Sequence, residues 1–333
     1  MNTTSLFGLM SYAPASVTTN TINLGDYIQS IAARQFLPKV DALIDREQMS
    51  NYDGDDINLI MNGWFMTHPE NWPPSKHIRP LITSFHINGS VENQMLSEES
   101  IRYLKSHEPI GCRDSHTCDL LSTKGVDAFF SGCLTLTLGN TYKHNGCSGK
   151  VLFVNVLDEF KSLSELILHP RTTYGRIKSG LFRDAFYKRG IMNKLFDKRL
   201  QLDANYLNQS VRPRKADNLL DMADAFLKQL AAAKFVVTSK LHTALPCLAM
   251  GTPVIFINGG LYEYANIGRL SGLIDLLNVI DVDRNHNVTP RFDIKLPLTV
   301  DSEFSNRSSY KEYADKLTAQ CRQFVANALN GKQ

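Results

Sequence analysis

The chain has 333 residues, 43% of them hydrophobic and 21% charged, with 36 Lys+Arg against 33 Asp+Glu for a formal net charge of +3. That composition excludes disorder, a collagen-like repeat and a coiled coil, and the length predicts two compact units of about 150 residues each. A small charge spread over the whole chain leaves no footprint for a nucleic acid partner, so an anionic ligand is expected to be small or locally recognised.

The first segment, MNTTSLFGLMSYA, lacks the positive n-region of a signal peptide, and SLFGLMSYA within it predicts a strand. NLGDYIQSIAARQFLP follows with Leu24, Ile28, Ile31, Ala32 and Phe36 on one helical face, which predicts a helix ended by Pro38. The acidic, turn-rich DREQMSNYDGDD reads as a surface loop. INLIM (57–61) and PLITSFHI (80–87) predict strands, then come a helix over 97–106, a strand at EPIGC, a helix at SHTCDLLSTKG, and strands at VDAFF and CLTLTL. GNTYKHNGCSGK breaks the composition, and the boundary between the two units is placed near residue 147.

The second half opens on the strand VLFVNV and continues through a basic region at 171–200 and a helix over 216–232. The strand AKFVVTS, a helix over 241–250 and the strand PVIFI come next. After residue 303, Tyr310, Tyr313, Leu317, Cys321 and Val325 mark one amphipathic helix. Alternation of this kind predicts an α/β protein with largely parallel sheets, divided as 1–147, 148–302 and a terminal helix over 303–333. The most apolar stretch, 234–257, contains Lys240 and His242, so no membrane-spanning segment is predicted. Six cysteines without CxxC pairing fit a reduced, cytoplasmic setting.

Ligands in open α/β sheets bind at the carboxyl ends of strands, which directs attention to three places. In TSKLH, Thr238 or Ser239 is a candidate N-cap, with Lys240 and His242 in the first turn over the positive helix end. That arrangement suits a phosphate or carboxylate, with His242 able to donate a proton near neutral pH; the alternative is a solvated Lys240 and a packed His242. In GCRDSHT, Arg113 offers a planar fork for an oxyanion, or forms only a structural pair with Asp114, which caps the next helix. Cys112, His116 and Cys118 match no standard zinc spacing, so no metal is expected. In NLGDYIQS, Gly25 permits close backbone approach, and Asp26 either orients or deprotonates a sugar hydroxyl or merely favours the helix dipole; Asn23 opens the same segment. Arg269 in GRLSGLIDLL is a further cleft cation or a surface residue. Over 171–200, nine Lys+Arg against two Asp, interleaved with aromatics, fit either a basic surface for an anionic membrane or a lipid-diphosphate acceptor, or a solvated helix face.

Taken in order, NLGDYIQSIAARQFLP, NGWFM, SFHING, IGCRDSHT, FSGCLTLTL, AKFVVTSKLHTALPCLAMGTPVIF and GRLSGLIDLL resemble the polysaccharide pyruvyl transferase family over residues 21–277. The resemblance implies a GT-B-like fold, two Rossmann-like domains facing a cleft, with the C-terminal helix packing back on the first. It implies transfer of the pyruvyl group of phosphoenolpyruvate to two hydroxyls of a sugar in a polysaccharide or its lipid-linked precursor, forming a cyclic ketal and releasing phosphate, in capsule, exopolysaccharide or cell-wall synthesis. No metal or organic cofactor is implied. With that chemistry His242 becomes the expected general acid or a donor to the departing phosphate, and Asp26 the base or orienting group for the acceptor, with Lys240, Arg113, Arg269, Ser239 and Asn23 around the substrates. The family commonly has Arg where Lys240 stands, which keeps the charge and loses the fork. Two other readings are a glycosyltransferase using a nucleotide sugar, against which Glu263 stands alone after PVIFI, and a noncatalytic glycan-binding subunit.

Overall fold

The computed structural model describes residues 5–12, 21–158, 182–212, 214, 218–259 and 268–331, without the side chains of 182–186. In the first half the strands are β1 (Leu6–Ser11), β2 (Ile22–Asn23), β3 (Ala42–Asp45), β4 (Ile57–Phe65), β5 (Ile78–Ile87), β6 (Ile110–Cys112) and β7 (Ala128–Phe130). All but β2 form one parallel sheet in the order β3-β1-β4-β5-β6-β7. The second half contributes β8 (Val151–Val154), β9 (Asn205–Leu207), β10 (Ser210–Val211), β11 (Phe235–Thr238), β12 (Val254–Gly259), β13 (Asn278–Val282) and β14 (Val288–Pro290). Its six-stranded sheet runs β9-β8-β11-β12-β13-β14, parallel except for β14. Both sheets therefore repeat one order, second strand, first, third and onward, with a switch point beside the first strand. Each switch point is a natural crevice for a ligand.

Helices α1 (Leu24–Arg34), α2 (Glu92–Met95), α3 (Glu98–Lys105) and α4 (Ser115–Thr123) belong to the first half. The second half has α5 (Phe182–Leu195), α6 (Lys198–Asp203), α7 (Leu219–Ala232), α8 (Leu241–Met250) and α9 (Tyr310–Leu329). Of the basic stretch at 171–200, residues 171–181 lie outside the described residues. One continuous apolar cluster joins the two sheets, running from Leu9 and Leu59 through Ile28 and Ile31 of α1 to Leu230, Leu245 and Val236. The closing helix α9 returns to the first sheet. Its Tyr313 meets Phe130 edge-on at 5.2 Å, Gln320 accepts from Thr83 Oγ1 at 3.0 Å, and Val325 and Ala328 pack on Phe7. Among the described residues no helix is long and apolar enough to cross a membrane.

Three expectations require correction. CLTLTL is not a strand: Leu134–Asn140 is a 3-10 helix whose Gly139 lies so close to α8 that an added Cβ would fall 2.2 Å from the Ala249 carbonyl oxygen. Burial of successive residues, rather than of alternate ones, disguised it. Helix α1 ends at Arg34, four residues before Pro38: Phe36 N and Leu37 N bond back to Ala33 O and Arg34 O in tighter turns, and the Gln35 side chain donates to Thr137 Oγ1 at 2.7 Å. Of the stretch assigned to a surface loop, 52–56 is one, but 45–51 is a strand end and a 3-10 helix with Arg46, Glu47 and Met49 buried.

Candidate functional site

The carboxyl ends of the two sheets are tied together at α1. Strand β2 pairs antiparallel with β10, and Asn23 caps α1 by accepting from Gly25 N at 3.0 Å. The same Asn23 oxygen accepts from Gln209 Nε2 at 2.7 Å, while Gln209 O accepts from Leu24 N at 2.9 Å. Gln209 in turn accepts from Thr243 Oγ1 of α8 at 2.7 Å. Asn23, chosen from the sequence as a substrate ligand, is thus a cap and a clasp. A buried glutamine from the second half holds the start of α1 against the start of α8.

Gly25 makes this approach possible. A Cβ there would stand 2.6 Å from Gln209 Nε2, 2.9 Å from His242 Nδ1 and 3.0 Å from Asn23 Oδ1. His242 therefore sits directly on the amino end of α1, against Gly25, the residue before Asp26. His242 is buried, and its Nε2 meets no hydrogen-bond partner among the described residues. Burial, then the nearby charges of Arg113, Arg269 and His86, hold the imidazole well below its ordinary pKa. The opposite shift applies to Asp26, a partly buried carboxylate that burial pushes upward while Arg46, Arg269 and Arg113 pull it back. Gln29 Nε2 reaches Asp26 Oδ1 at 3.4 Å. His242 and Asp26 thus share the cations Arg113 and Arg269, which identifies one common site.

Arg113 follows β6 and is 1% exposed, yet its Nε, Nη1 and Nη2 all lack a hydrogen-bond acceptor among the described residues. Its nearest carboxylate contact is Asp114 Oδ2 at 3.9 Å, too long for a hydrogen bond. A buried guanidinium without acceptors is costly unless an anion joins it. Asp114 is occupied elsewhere: it caps α4 through Thr117 N at 2.9 Å and binds His86 Nδ1 at 2.5 Å. Arg269 is exposed and belongs to a segment docked on α4, where Ser271 Oγ accepts from His116 N at 3.1 Å. GRLSG and GCRDSHT, 155 residues apart at this contact, meet there.

The TSKLH segment differs from its expected form. Lys240 itself occupies the N-cap position, and α8 begins at Leu241, so only His242 lies in the first turn. Thr238 Oγ1 accepts from Lys240 N at 3.0 Å. Lys240 Nζ pairs with Asp158 Oδ2 at 3.1 Å across the switch point between β8 and β11. Ser239 is a structural bridge rather than a cap, donating to the Ile257 carbonyl at 2.8 Å and accepting from Leu157 N at 3.1 Å. Glu263, weighed for a nucleotide sugar, lies outside the described residues.

Sequence reasoning passed over two groups. His86 stands at the end of β5 in SFHING, a segment noted as a motif but not for its histidine. Arg46, placed by the sequence in a loop, lies between the rings of Tyr12 and Trp64 at 4.8 and 4.7 Å, with Nε on Glu47 at 2.7 Å. These aromatics flank the switch point of the first sheet, after β1 and within β4. The chain offered little signal for Arg46, since Asp45 and Glu47 flank it in an acidic stretch.

Comparison with known proteins gives a family. The family model described as polysaccharide pyruvyl transferase matches residues 23–260. A search among curated proteins returned no match to the chain.

Proposed function

Because the chain belongs to the polysaccharide pyruvyl transferase family, a family of transferases, we propose that it moves the pyruvyl group of phosphoenolpyruvate onto two hydroxyls of one sugar, releasing phosphate and closing a cyclic ketal. The observation that supports this reading best is Arg113, a buried guanidinium beside His242 and Asp26 with all three nitrogens unmatched by acceptors among the described residues. Phosphoenolpyruvate carries both a phosphate and a carboxylate. Arg113 as a planar fork, Arg269 and the amino end of α8 answer those two groups.

The chemistry follows from the shifted groups. Protonation of the methylene carbon turns it into a methyl and leaves an oxocarbenium-like centre at the neighbouring carbon. A sugar hydroxyl adds to that centre and loses its proton, phosphate departs, and the second hydroxyl closes the ring while losing its own. Of the two hydroxyl protons, one balances the new methyl C–H and the other leaves with phosphate. His242 is the donor: the incoming dianion offsets Arg113 and Arg269 and adds a negative charge beside the buried ring, both of which raise the pKa that burial and those cations lower, so the imidazole can hold a proton for the methylene carbon. Asp26, already raised by burial, is the matching acceptor for a hydroxyl proton.

On the same reading the two halves, 1–147 and 148–302, are two Rossmann-like domains of a GT-B-like pair, with 303–333 strapping back to the first. The shared strand order of the two sheets supports that division. The acceptor is a sugar of a polysaccharide, in capsule, exopolysaccharide or cell-wall material, or its lipid-linked precursor at the inner face of the membrane, where the basic 171–200 stretch supplies positive charge. No metal or organic cofactor takes part.

The test is phosphate release from phosphoenolpyruvate over a panel of p-nitrophenyl hexopyranosides, with mass spectrometry of the glycoside. The expected product is heavier by one pyruvate less one water. His242→Gln is expected to slow release by ~10²–10⁴-fold while the melting temperature holds. If phosphoenolpyruvate neither shifts the melting temperature nor releases phosphate with any acceptor, while a nucleotide sugar does shift it, the reading is wrong.

A further inference from the structure

Beside Arg113 lies a second proton-handling group. His86 and Arg113 leave the carboxyl ends of adjacent parallel strands, since Phe85 pairs with Cys112, and the two side chains share Asp114. His86 is 2% exposed, and its Nδ1 is fixed by Asp114 Oδ2 at 2.5 Å, with Thr117 Oγ1 at 3.3 Å. Asp114 is held as a carboxylate: burial works upward on it, but the His86 hydrogen bond, Arg113 and Thr117 N outweigh that and lower its pKa. A carboxylate only accepts, so Nδ1 carries the hydrogen and Nε2 presents its lone pair. That Nε2 is buried and meets no donor among the described residues.

The backbone is shaped to deliver this nitrogen. Met61 pairs with Ile82 but Gly63 with Phe85, so β5 carries one extra residue there, and Ser84 adopts a φ of +50°. A bulge of this kind reverses the facing of every later side chain in the strand, and a serine in the left-handed region is strained. Without the bulge His86 would share the facing of Ile82. The strain is thus spent on re-aiming His86, and a merely packed core histidine would not require it.

We propose that His86, oriented by Asp114, takes the proton of the second sugar hydroxyl as the ketal ring closes, while His242 and Asp26 serve the first addition. The inference rests on the proposed pyruvyl transfer and adds to it the residue for a step that His242 and Asp26 leave unserved. In that step the second hydroxyl oxygen bonds to the oxocarbenium carbon, its O–H bond breaks toward His86 Nε2, and the proton passes on to the phosphate released. The groups that bear on His86 are Arg113 and Asp114 from the loop after β6, Arg269 from the segment docked on α4, and His242 from α8. Burial and Arg113 hold its unliganded pKa down at about 4, which keeps Nε2 open to accept.

The experiment compares wild type, His86→Gln and Asp114→Asn in single-turnover rapid quench with phosphoenolpyruvate and the glycoside that wild type pyruvylates best. His86→Gln is expected to slow ketal formation by ~10²-fold and to accumulate an adduct with the mass of glycoside plus phosphoenolpyruvate, with the melting shift by phosphoenolpyruvate retained. Asp114→Asn keeps an acceptor for Thr117 N and so preserves the cap, yet removes the charge that supports the imidazolium. Its acid limb in the rate profile is expected to move to lower pH, a change that a structural role would not produce. Wild-type kinetics and an unmoved acid limb in both variants overturn the assignment of His86 alone. Absence of turnover in wild type overturns the pyruvyl transfer reading along with it.

Discussion

Arg113 and Lys240 hold equivalent places in the two halves: each is a cation following a core strand and preceding a helix. The structure treats them in opposite ways. Arg113 is fully buried with its nitrogens unmatched among the described residues, because the neighbouring Asp114 is committed to His86 and to the cap of α4. Lys240, 29% exposed, caps its helix position by backbone alone and spends its ammonium on Asp158. A cation whose counterion is already present is a fastener. One whose carboxylate neighbour has been taken by other groups is prepared for a ligand.

The largest expected effect therefore belongs to Arg113→Met. Loss of the fork should lower phosphate release by ~10³-fold or more and abolish the melting shift caused by phosphoenolpyruvate. The unliganded variant should melt at the same temperature as wild type or above it, since removing a buried charge without acceptors relieves a desolvation cost. A fall in melting temperature of several degrees would recast Arg113 as a structural partner of Asp114 and erase its contrast with Lys240.

Much of the scaffold was legible from periodicity. Strand β1 and helix α8, buried on all sides, were legible as short apolar runs between turn signals, and the face of α9 marked by Leu317, Cys321 and Val325 as burial of one face of a regular element. Strands β13 and β14 were not anticipated, and the helix at Leu134–Asn140 was misread because burial of five successive residues erases the period that distinguishes strand from helix. At the site, His242, Asp26, Arg113 and Arg269 were visible as residue types next to strand ends, and the electrostatics gather these four. Partner choice was not visible. Whether Asp114 serves Arg113 or His86 depends on a bulge at Ser84, and whether Asn23 binds substrate or Gln209 depends on a contact 186 residues away. Nor was it visible that Ser239 donates to the carbonyl of Ile257 and Lys240 pairs with the carboxylate of Asp158, because both partners are far away in sequence.

Gly25→Ala probes the seam where the two halves meet. The new Cβ would press on Gln209 Nε2 and His242 Nδ1, and Gln209 cannot retreat without releasing Asn23 and Thr243. The expected cost is ~1–3 kcal/mol of stability by denaturant unfolding. Displacement of His242 should add a ~10–100-fold loss of turnover. Full activity in this variant would show that His242 does not need its place on α1.

Acidification tests the charge argument without mutation of the cations. His242 and His86 both titrate below the ordinary value of 6.5, the latter at about 4, chiefly through burial and then Arg113. Between those values the unfolded chain binds protons that the folded chain refuses, so the stability these groups contribute is present above about 6.5 and is lost as pH falls toward 4. The melting temperature of the unliganded protein should drop through that window. In His86→Gln the drop should be shallower.

Lys240→Met is the smallest change expected and the most informative control for Arg113. The pair with Asp158 spans the switch point of the second sheet, but both side chains are partly solvated, at 29% and 33%, so its loss should cost under ~1 kcal/mol. Backbone capping survives, because Thr238 Oγ1 accepts from Lys240 N whatever side chain stands there. If Lys240 is only a fastener, turnover should fall less than ~10-fold, and Asp158→Asn should do the same. A loss in Lys240→Met comparable to that of Arg113→Met, with Asp158→Asn near wild type, would mean that phosphoenolpyruvate draws the ammonium away from Asp158. The second sheet would then supply a donor-binding cation after all, and the two strand ends would differ only in how the unliganded protein stores their charge.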